Sequence, residues 1–436
     1  MATTELPVIN KAPSSSDPTV YQDYESKWST YPTDTEGWLQ RARDVAAVLA
    51  VDAAARENAN KSPKAEVALL KHSGLLKLIG PKKYGGGEQP WSVGYKAIRE
   101  VAKGDGSIGM LLGYHLLWSR AANVVGNDEQ ADRFQKLIIE NNYYVGGAVN
   151  PRDSDLKITY DDEKITYSGF KNFTTGAAVS DLIVLEGAVD GRPPEEHIFT
   201  IVPTAQPGIA FSYNWDNIGL RLTESGAAKI ENVSAPWDDA FGWDAKTKKP
   251  DPAILGVQFP SLLLPSIQLV FSNFYIGIAL GALDFAKKYT TTQTRAWPFG
   301  GDNKASATDE FHILSTYGNF HAHLRASEAL ADRAGSEADR LYSAYAANRA
   351  GLTPQERGDW AEWVASVKVV ATDTGLRVTA GVFEVTGARA TASKVGLDRF
   401  WRDIRTHTLH DPVAYKNREL GRYFLLGEVP EPTWYT

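Results

Sequence analysis

Residues 405–412, Arg-Thr-His-Thr-Leu-His-Asp-Pro, set His407 and His410 three apart with Asp411 and Pro412 directly behind them. Histidine is scarce in this chain, at 8 of 436 residues. Imidazole is the side chain that titrates near neutral pH, so two beside a carboxylate suit proton transfer. Residues three apart share one face of a helix, which lets both rings point into one cavity. A metal site would want a third ligand, and Asp411 stands about a quarter-turn away on such a helix. His321 and His323, two apart, fall on different faces, and no His-Glu-x-x-His signature is present. No metal is expected. Acid/base work is the sharper reading of the pair, set against ordinary packing.

Other clusters hold aromatics, hydroxyls and cations. Gly113–Trp118 (GYHLLW) puts Tyr114, His115 and Trp118 on one helix. In FKNFTTGAAVSD (170–181) a strand runs into the turn Thr174-Thr175-Gly176, whose hydroxyls and free backbone N–H groups can meet an acceptor-rich ring. YNWDNIGLRLTESG (213–226) combines Trp215 with Arg221, Thr223 and Ser225. Arg295 follows in YTTTQTRAWPFG, and Arg389 stands beside the flexible Gly387. Singly, each also reads as a core aromatic, a solvated arginine or a plain turn. No G-x-G-x-x-G follows a strand, and the phosphate-loop and nucleophile-elbow patterns are missing. Cys is absent, which excludes disulfides, thiolate nucleophiles and Cys-held zinc or iron–sulfur clusters.

Three zones must position these residues. From about 36 to 142 apolar residues recur at helical spacing, with Gly104 and Gly106 marking a break between two helices. From 143 to 250 the period changes to two, in short Ile/Val/Thr-rich runs parted by Asp, Gly and Pro, which predicts a domain of antiparallel strands, a small barrel or sandwich. From 251 to 436 long Ala-rich stretches predict a helical bundle. Residues 1–35 read as a flexible lead-in, without the basic and apolar regions of a secretory signal. The run 254–271 is interrupted by Pro260, Pro265 and Gln268, which argues against a membrane span. With 43% hydrophobic residues and a formal charge of -7, the composition is that of a soluble globular chain and disfavours nucleic acid as a partner. A cytoplasmic location is the expectation.

The segments PKKYGGG (81–87), GDGSIG (104–109), the 169–181 turn, IGLRLTESG (218–226) and FEVTGARA…DRFWRDIRTHTLHDP (383–412) together resemble the acyl-CoA dehydrogenase superfamily. The resemblance runs from about 36 to 425 and implies an α+β fold: an N-terminal helical domain, a middle antiparallel β-domain and a C-terminal four-helix bundle. GYH (113–115), TQTRAW, VFEVTGAR and RTHTLHDPVAYK (405–416) are most similar to its flavin-dependent monooxygenase branch, typified by dibenzothiophene monooxygenase. Dehydrogenases of the common subclass carry a catalytic Glu where this chain has His410-Asp411-Pro412-Val413. Met110 and Gly147 stand where the dibenzothiophene enzyme presents His and Asn, which implies a reshaped pocket.

The resemblance further implies a homotetramer with a flavin between the β-domain and the bundle. Thr174, Thr175, Gly176 and Trp215 would meet the flavin, with Thr175 at its ring and Tyr114 as a ring-side aromatic. Arg295 from a neighbouring subunit and Arg389 would meet its phosphate. Met110, Tyr114, His115 and Gly147 would shape the substrate pocket. His410, with His407 as orienter or second donor, would supply a proton to a C4a-hydroperoxyflavin formed from reduced flavin and O2. The cofactor expected is reduced FMN, with FAD as the alternative, delivered by a separate NAD(P)H:flavin reductase. Oxygenation at S, N or C of an aromatic or heterocyclic small molecule follows. Two other readings stand beside it: an FAD-dependent acyl-CoA dehydrogenase or oxidase with Asp411 as a shortened base, and a non-catalytic scaffold.

Overall fold

A computed structural model describes Ala12 and residues 14–150, 155–193 and 196–433. The N-terminal helices are α1 (Asp23–Lys27), α2 (Thr35–Ala50), α3 (Ala53–Ala59), α4 (Lys64–Ser73), α5 (Trp91–Gly104), α6 (Gly106–Trp118), α7 (Ala121–Val125) and α8 (Asp128–Glu140). The break expected at Gly104 and Gly106 falls between α5 and α6. There Asp105 caps α6, its side chain accepting from the Ile108 N–H at 3.2 Å. Every residue of α6 is buried. The lead-in differs from expectation. Residues 1–11 and 13 lie outside the described residues, but from Ser14 onward the chain is pinned to the helical domain. Ser15 bridges Ser62, and Tyr21 is buried in the same core as Trp38. The Ser/Pro composition concealed that aromatic anchor.

Strands β1 (Val145–Ala148), β2 (Lys157–Tyr160), β3 (Lys164–Lys171), β4 (Leu182–Val189), β5 (His197–Pro203), β6 (Ile209–Phe211) and β7 (Ala228–Pro236) form one sheet, ordered β1-β4-β2-β3-β7-β6 with β5 also paired to β4. A two-residue pair, β8 (Trp243–Asp244) and β9 (Lys249–Pro250), follows. The sheet is mixed rather than purely antiparallel, because β4 pairs in parallel with both β1 and β2. The period-two pattern reports which face a residue takes and carries no strand direction. In β4, nearly every residue is buried, as suits a strand paired along both edges. The sheet has its own apolar core, built around Ile158, Tyr167, Ile183 and Ile230.

The bundle consists of three long helices, α9 (Leu263–Thr292), α10 (Phe311–Tyr345) and α11 (Pro354–Thr386), completed by the short α12 (Asp398–His407) and α13 (Val413–Leu426). The prolines do not interrupt α9, since Pro265 sits in its first turn, where a missing N–H costs no helical bond. The stretch Phe259–Thr292 is long and apolar enough to cross a membrane by length and composition, and 78% of its most apolar window is buried inside the fold. It is the central helix, sharing one continuous core with α5, α6 and α11. The C-terminal ends of α9 and α11 lie together: the Thr290 hydroxyl donates to the Val385 carbonyl at 3.0 Å and the Thr294 hydroxyl to that of Thr386 at 3.1 Å.

Candidate active site

Between the sheet, α6, the start of α9 and the end of α12 lies a cavity of about 560 Å³. Three residues of α6 line it, Met110, Tyr114 and Trp118, because a spacing of four returns to the same face. Gly147 of β1 adjoins Trp118 in the wall. A Cβ there would stand 2.8 Å from the Trp118 indole nitrogen, so only glycine leaves that space open. The cavity also takes in Thr175, Ser225, Trp215, Leu220, Phe271, His407 and His410.

The Thr174-Thr175-Gly176 turn is held by the 223–226 segment. The Thr174 N–H donates to the Gly226 carbonyl at 3.0 Å and the Gly176 N–H to that of Thr223 at 2.9 Å. Gly176 has φ +67°, the left-handed turn that glycine tolerates. A run of hydroxyls follows from it. Thr223 Oγ1 donates to the Leu220 carbonyl at 2.9 Å, lies 2.7 Å from Ser225 Oγ, and Ser225 Oγ lies 2.8 Å from Thr175 Oγ1. Because a carbonyl only accepts, the run has one direction: Thr175 donates to Ser225 and Ser225 to Thr223. Burial pushes the Tyr114 phenol well above its ordinary value, with Thr175 opposing that rise. Trp215 is fixed by donating Nε1–H to the Leu220 carbonyl at 2.8 Å, and the Leu220 N–H in turn donates to Asp403 of α12 at 2.7 Å.

The two imidazoles meet as expected, though by another route. Helix α12 ends at His407, and the turn after it is closed by the His410 N–H donating to the His407 carbonyl at 2.9 Å. The rings stack with centroids 5.1 Å apart and planes 8° from parallel. Phe271 packs against both, at 4.5 Å from His407 and 5.0 Å from His410. His407 is 6% exposed, whereas the His410 side chain is 41% exposed. Burial, then the neighbouring His410 and Lys368, hold His407 well below the usual imidazole range, so its ring is neutral. Its Nδ1 lies 2.7 Å from the Tyr275 hydroxyl, and its Nε2 has no hydrogen-bond partner among the described residues.

Asp411 lies 3.2 Å from His410 Nδ1 and 2.8 Å from the ammonium of Lys368, which is fully buried on α11. Those two partners outweigh burial and hold the carboxyl below its ordinary range. Asp411 is thus an ionised counter-charge turned into the bundle. No Asp or Glu lines the cavity among the described residues.

Some expected residues stand elsewhere. His115 is a packing residue and does not line the cavity. One position past Tyr114 on α6, it turns about 100° away. There its Nε2–H donates to the Leu76 carbonyl at 2.8 Å and its Nδ1 accepts the Val145 N–H at 3.0 Å. Burial lowers its pKa to about 4. Thr174 and Gly176 shape the turn without lining the cavity. Arg295 and Arg389 are exposed beyond the far ends of α9 and α11, which puts roughly 30 Å of helix between Arg295 and Phe271. Neither reaches this chain's own cavity. The sequence reading missed Phe271, Tyr275, Lys368, Ser225 as a bonded partner of Thr175, and Asp403. A Lys in the apolar run of α11 was the one available signal. A larger cleft of about 920 Å³ between α8, α5 and α10, lined by Lys83, Arg120, Asp132 and Arg349, contains none of the expected residues.

Comparisons with known proteins bear on this geometry. Residues 33–141 match the family model of the acyl-CoA dehydrogenase N-terminal domain and residues 269–414 that of an acyl-CoA dehydrogenase C-terminal domain. The chain is 37% identical to the dibenzothiophene monooxygenase of Rhodococcus qingshengii over 402 residues, 90% of this chain and 94% of the relative. It is 35% identical to a probable FMNH2-dependent monooxygenase, SfnC, of Pseudomonas putida, over 91% of this chain and 97% of the relative. The structure of TdsC from Paenibacillus sp. A11-2 with FMN and indole superposes with a TM-score of 0.84 at 34% identity, covering 92% of this chain and all of that one (100%).

Proposed function

The chain belongs to the acyl-CoA dehydrogenase superfamily, in its flavin-dependent monooxygenase branch, and from that premise we propose how its own cavity does the work. It is an oxidoreductase that uses reduced FMN and O2. The observation that carries the reading is the cavity wall. A dehydrogenase needs a carboxylate beside the substrate carbon to take a proton. Here the described lining has none, and Asp411 is already committed to Lys368. Two buried nitrogens on residues of the lining, His407 Nε2 and Trp118 Nε1, instead have no hydrogen-bond partner among the described residues.

The residues fit a flavin. The cavity volume lies inside the range of roughly 300–1,000 Å³ typical of small-molecule sites. An isoalloxazine has an apolar face and polar edges, which Trp215, Tyr114 and Phe271 match on one count and Thr175 and the orphaned donors on the other. When bound, reduced FMN supplies activation of O2 and delivery of one oxygen atom. The protein excludes water through Trp118, Leu263, Ile267 and Phe271. His410, partly exposed and bonded to Asp411, delivers the proton and can recharge from solvent. His407 donates from Nε2, and Thr175 holds the ring edge.

Substrates in this reading are aromatic or heterocyclic small molecules oxygenated at S, N or C, placed against Met110 and Gly147. A separate NAD(P)H:flavin reductase in the same cytoplasmic compartment feeds the enzyme. A homotetramer is supported by exposed apolar side chains near the distant arginine, among them Trp297, Phe299, Phe311 and Leu314. In it, a neighbouring chain would lend Arg295 and Arg389 to the FMN phosphate, where a guanidinium fork suits the anion. To test this, purified protein is given a flavin reductase, NADH, FMN and a panel of heteroaromatic sulfides and indoles under 18O2. The expected product carries one labelled atom. Bleaching of bound flavin by acyl-CoA, without label in any product, would favour dehydrogenation instead.

A further inference from the structure

Lys368 and Tyr275 belong to none of the expected site residues, yet both are fully buried and bonded to the histidine pair. A lysine inside a helical core is costly unless it is paired and hydrogen-bonded. Here the ammonium donates to Asp411 at 2.8 Å and to the Tyr275 hydroxyl at 3.3 Å, and it lies 5.2 Å from the Tyr275 ring centre.

The Tyr275 oxygen accepts from Lys368, so its single proton must go elsewhere. Two acceptors are in reach: His407 Nδ1 at 2.7 Å and the His407 carbonyl at 3.2 Å. The carbonyl is the longer contact and already accepts the His410 N–H at 2.9 Å. The shorter contact, at 2.7 Å against 3.2 Å, assigns the proton to Nδ1. A neutral imidazole that accepts at Nδ1 carries its own proton at Nε2, the ring nitrogen with no partner among the described residues, on a side chain that lines the cavity.

We propose, building on the monooxygenase reading, that Lys368 and Tyr275 are positioning residues that lock His407 as an Nε2–H donor into the cavity, leaving His410 as the imidazole that exchanges protons. All the charged and titratable groups around His407 act together. The Lys368 ammonium from α11 disfavours a second positive charge, as does His410 when protonated, while Asp411 opposes them and is itself bound to Lys368. Tyr275 from α9 and Tyr114 from α6 are neutral phenols in this range. Two stacked imidazoles of equal proton affinity would compete for one proton. Fixing one as a donor removes that competition and directs the proton to the ring in contact with solvent.

The test uses flavin-free full-length protein labelled with 15N at histidine, with the His407 signals assigned by their loss in His407→Asn. The wild type should show an Nε2–H, bare-Nδ1 pattern that does not titrate between about pH 8 and pH 5.5. In Tyr275→Phe, which keeps the ring and drops the hydroxyl, the Nδ1–H form should appear. Because Lys368→Met alone strands the Asp411 charge, the companion variant is Lys368→Met with Asp411→Asn. There Tyr275 is free to accept, and Nδ1–H should again appear. An Nδ1–H pattern in the wild type, titration inside that window, or an unchanged pattern in folded Tyr275→Phe would each overturn the proposal. Failure to find oxygenated product would sink the monooxygenase reading and leave the tautomer result standing.

Discussion

At the scale of single residues, the two imidazoles take different parts because their surroundings differ. His410→Ala should cut product formation by roughly 10²–10⁴-fold, the worth of a placed general acid. FMN affinity, read by fluorescence titration, should hardly move, since His410 sits partly in solvent at the edge of the cavity. Equal loss of both would make it a structural residue. Gly147→Ala tests the wall: the new methyl must displace the Trp118 indole. Overpacking of this kind costs on the order of 1–3 kcal/mol. A KM rising with substrate size while kcat for the smallest substrate holds would place Gly147 at the substrate, and a uniform fall in kcat would not. The sequence made His407, His410, Thr175, Tyr114, Met110, Gly147 and Trp215 legible as candidates because scarce or special residue types occur there in a familiar order. Tyr275 and Lys368 were hidden, since a Tyr and a Lys inside long helices look like packing and surface until the helices are brought together. His115 misled for the converse reason: adjacency in sequence on a helix is a turn of 100° in space.

At the scale of elements, α12 holds the site together through Asp403, whose carboxylate accepts the Leu220 N–H and so fixes the loop carrying Trp215. Burial pushes the Asp403 pKa up to about 7. An acid whose folded pKa lies above its unfolded value binds more protons when folded, so its contribution to stability falls as pH rises from about 4 to about 7. Asp403→Asn keeps an acceptor for Leu220 and removes the ionisation. Urea unfolding should show the variant gaining on the wild type between pH 5 and pH 7.5, by on the order of 1–3 kcal/mol. A constant difference across that range would contradict the assignment. The helix–sheet–helix order and the α5–α6 break followed from periodicity and glycine. Strand direction did not, because the parallel β1–β4 pairing depends on contacts that no alternation of residue types records. The continuity of α9 through Pro265 was also obscured, since a proline breaks a helix interior and is harmless in its first turn.

At the scale of the whole molecule, Arg295 and Arg389 lie beyond the adjoining ends of α9 and α11 and outside the cavity lining, so one chain does not complete its own cofactor site. Arg295→Ala and His410→Ala should each be nearly inactive alone. Unfolded together and refolded as a mixture, they should recover about a quarter of wild-type rate, since random pairing makes half the pairs mixed and each mixed pair holds one intact site of two. No recovery would mean that Arg295 serves its own chain or none. The central claim is that FMN occupies the cavity between the Thr175 turn and the histidine pair. A crystal structure of the protein soaked with FMN tests it most directly. The expected result is a flavin ring beside Thr175 and Trp215, with His407 Nε2 donating to an acceptor on the bound ligand. Flavin seated instead in the charged cleft between α8 and α10, or the His407 ring turned away from it, would rule out that placement.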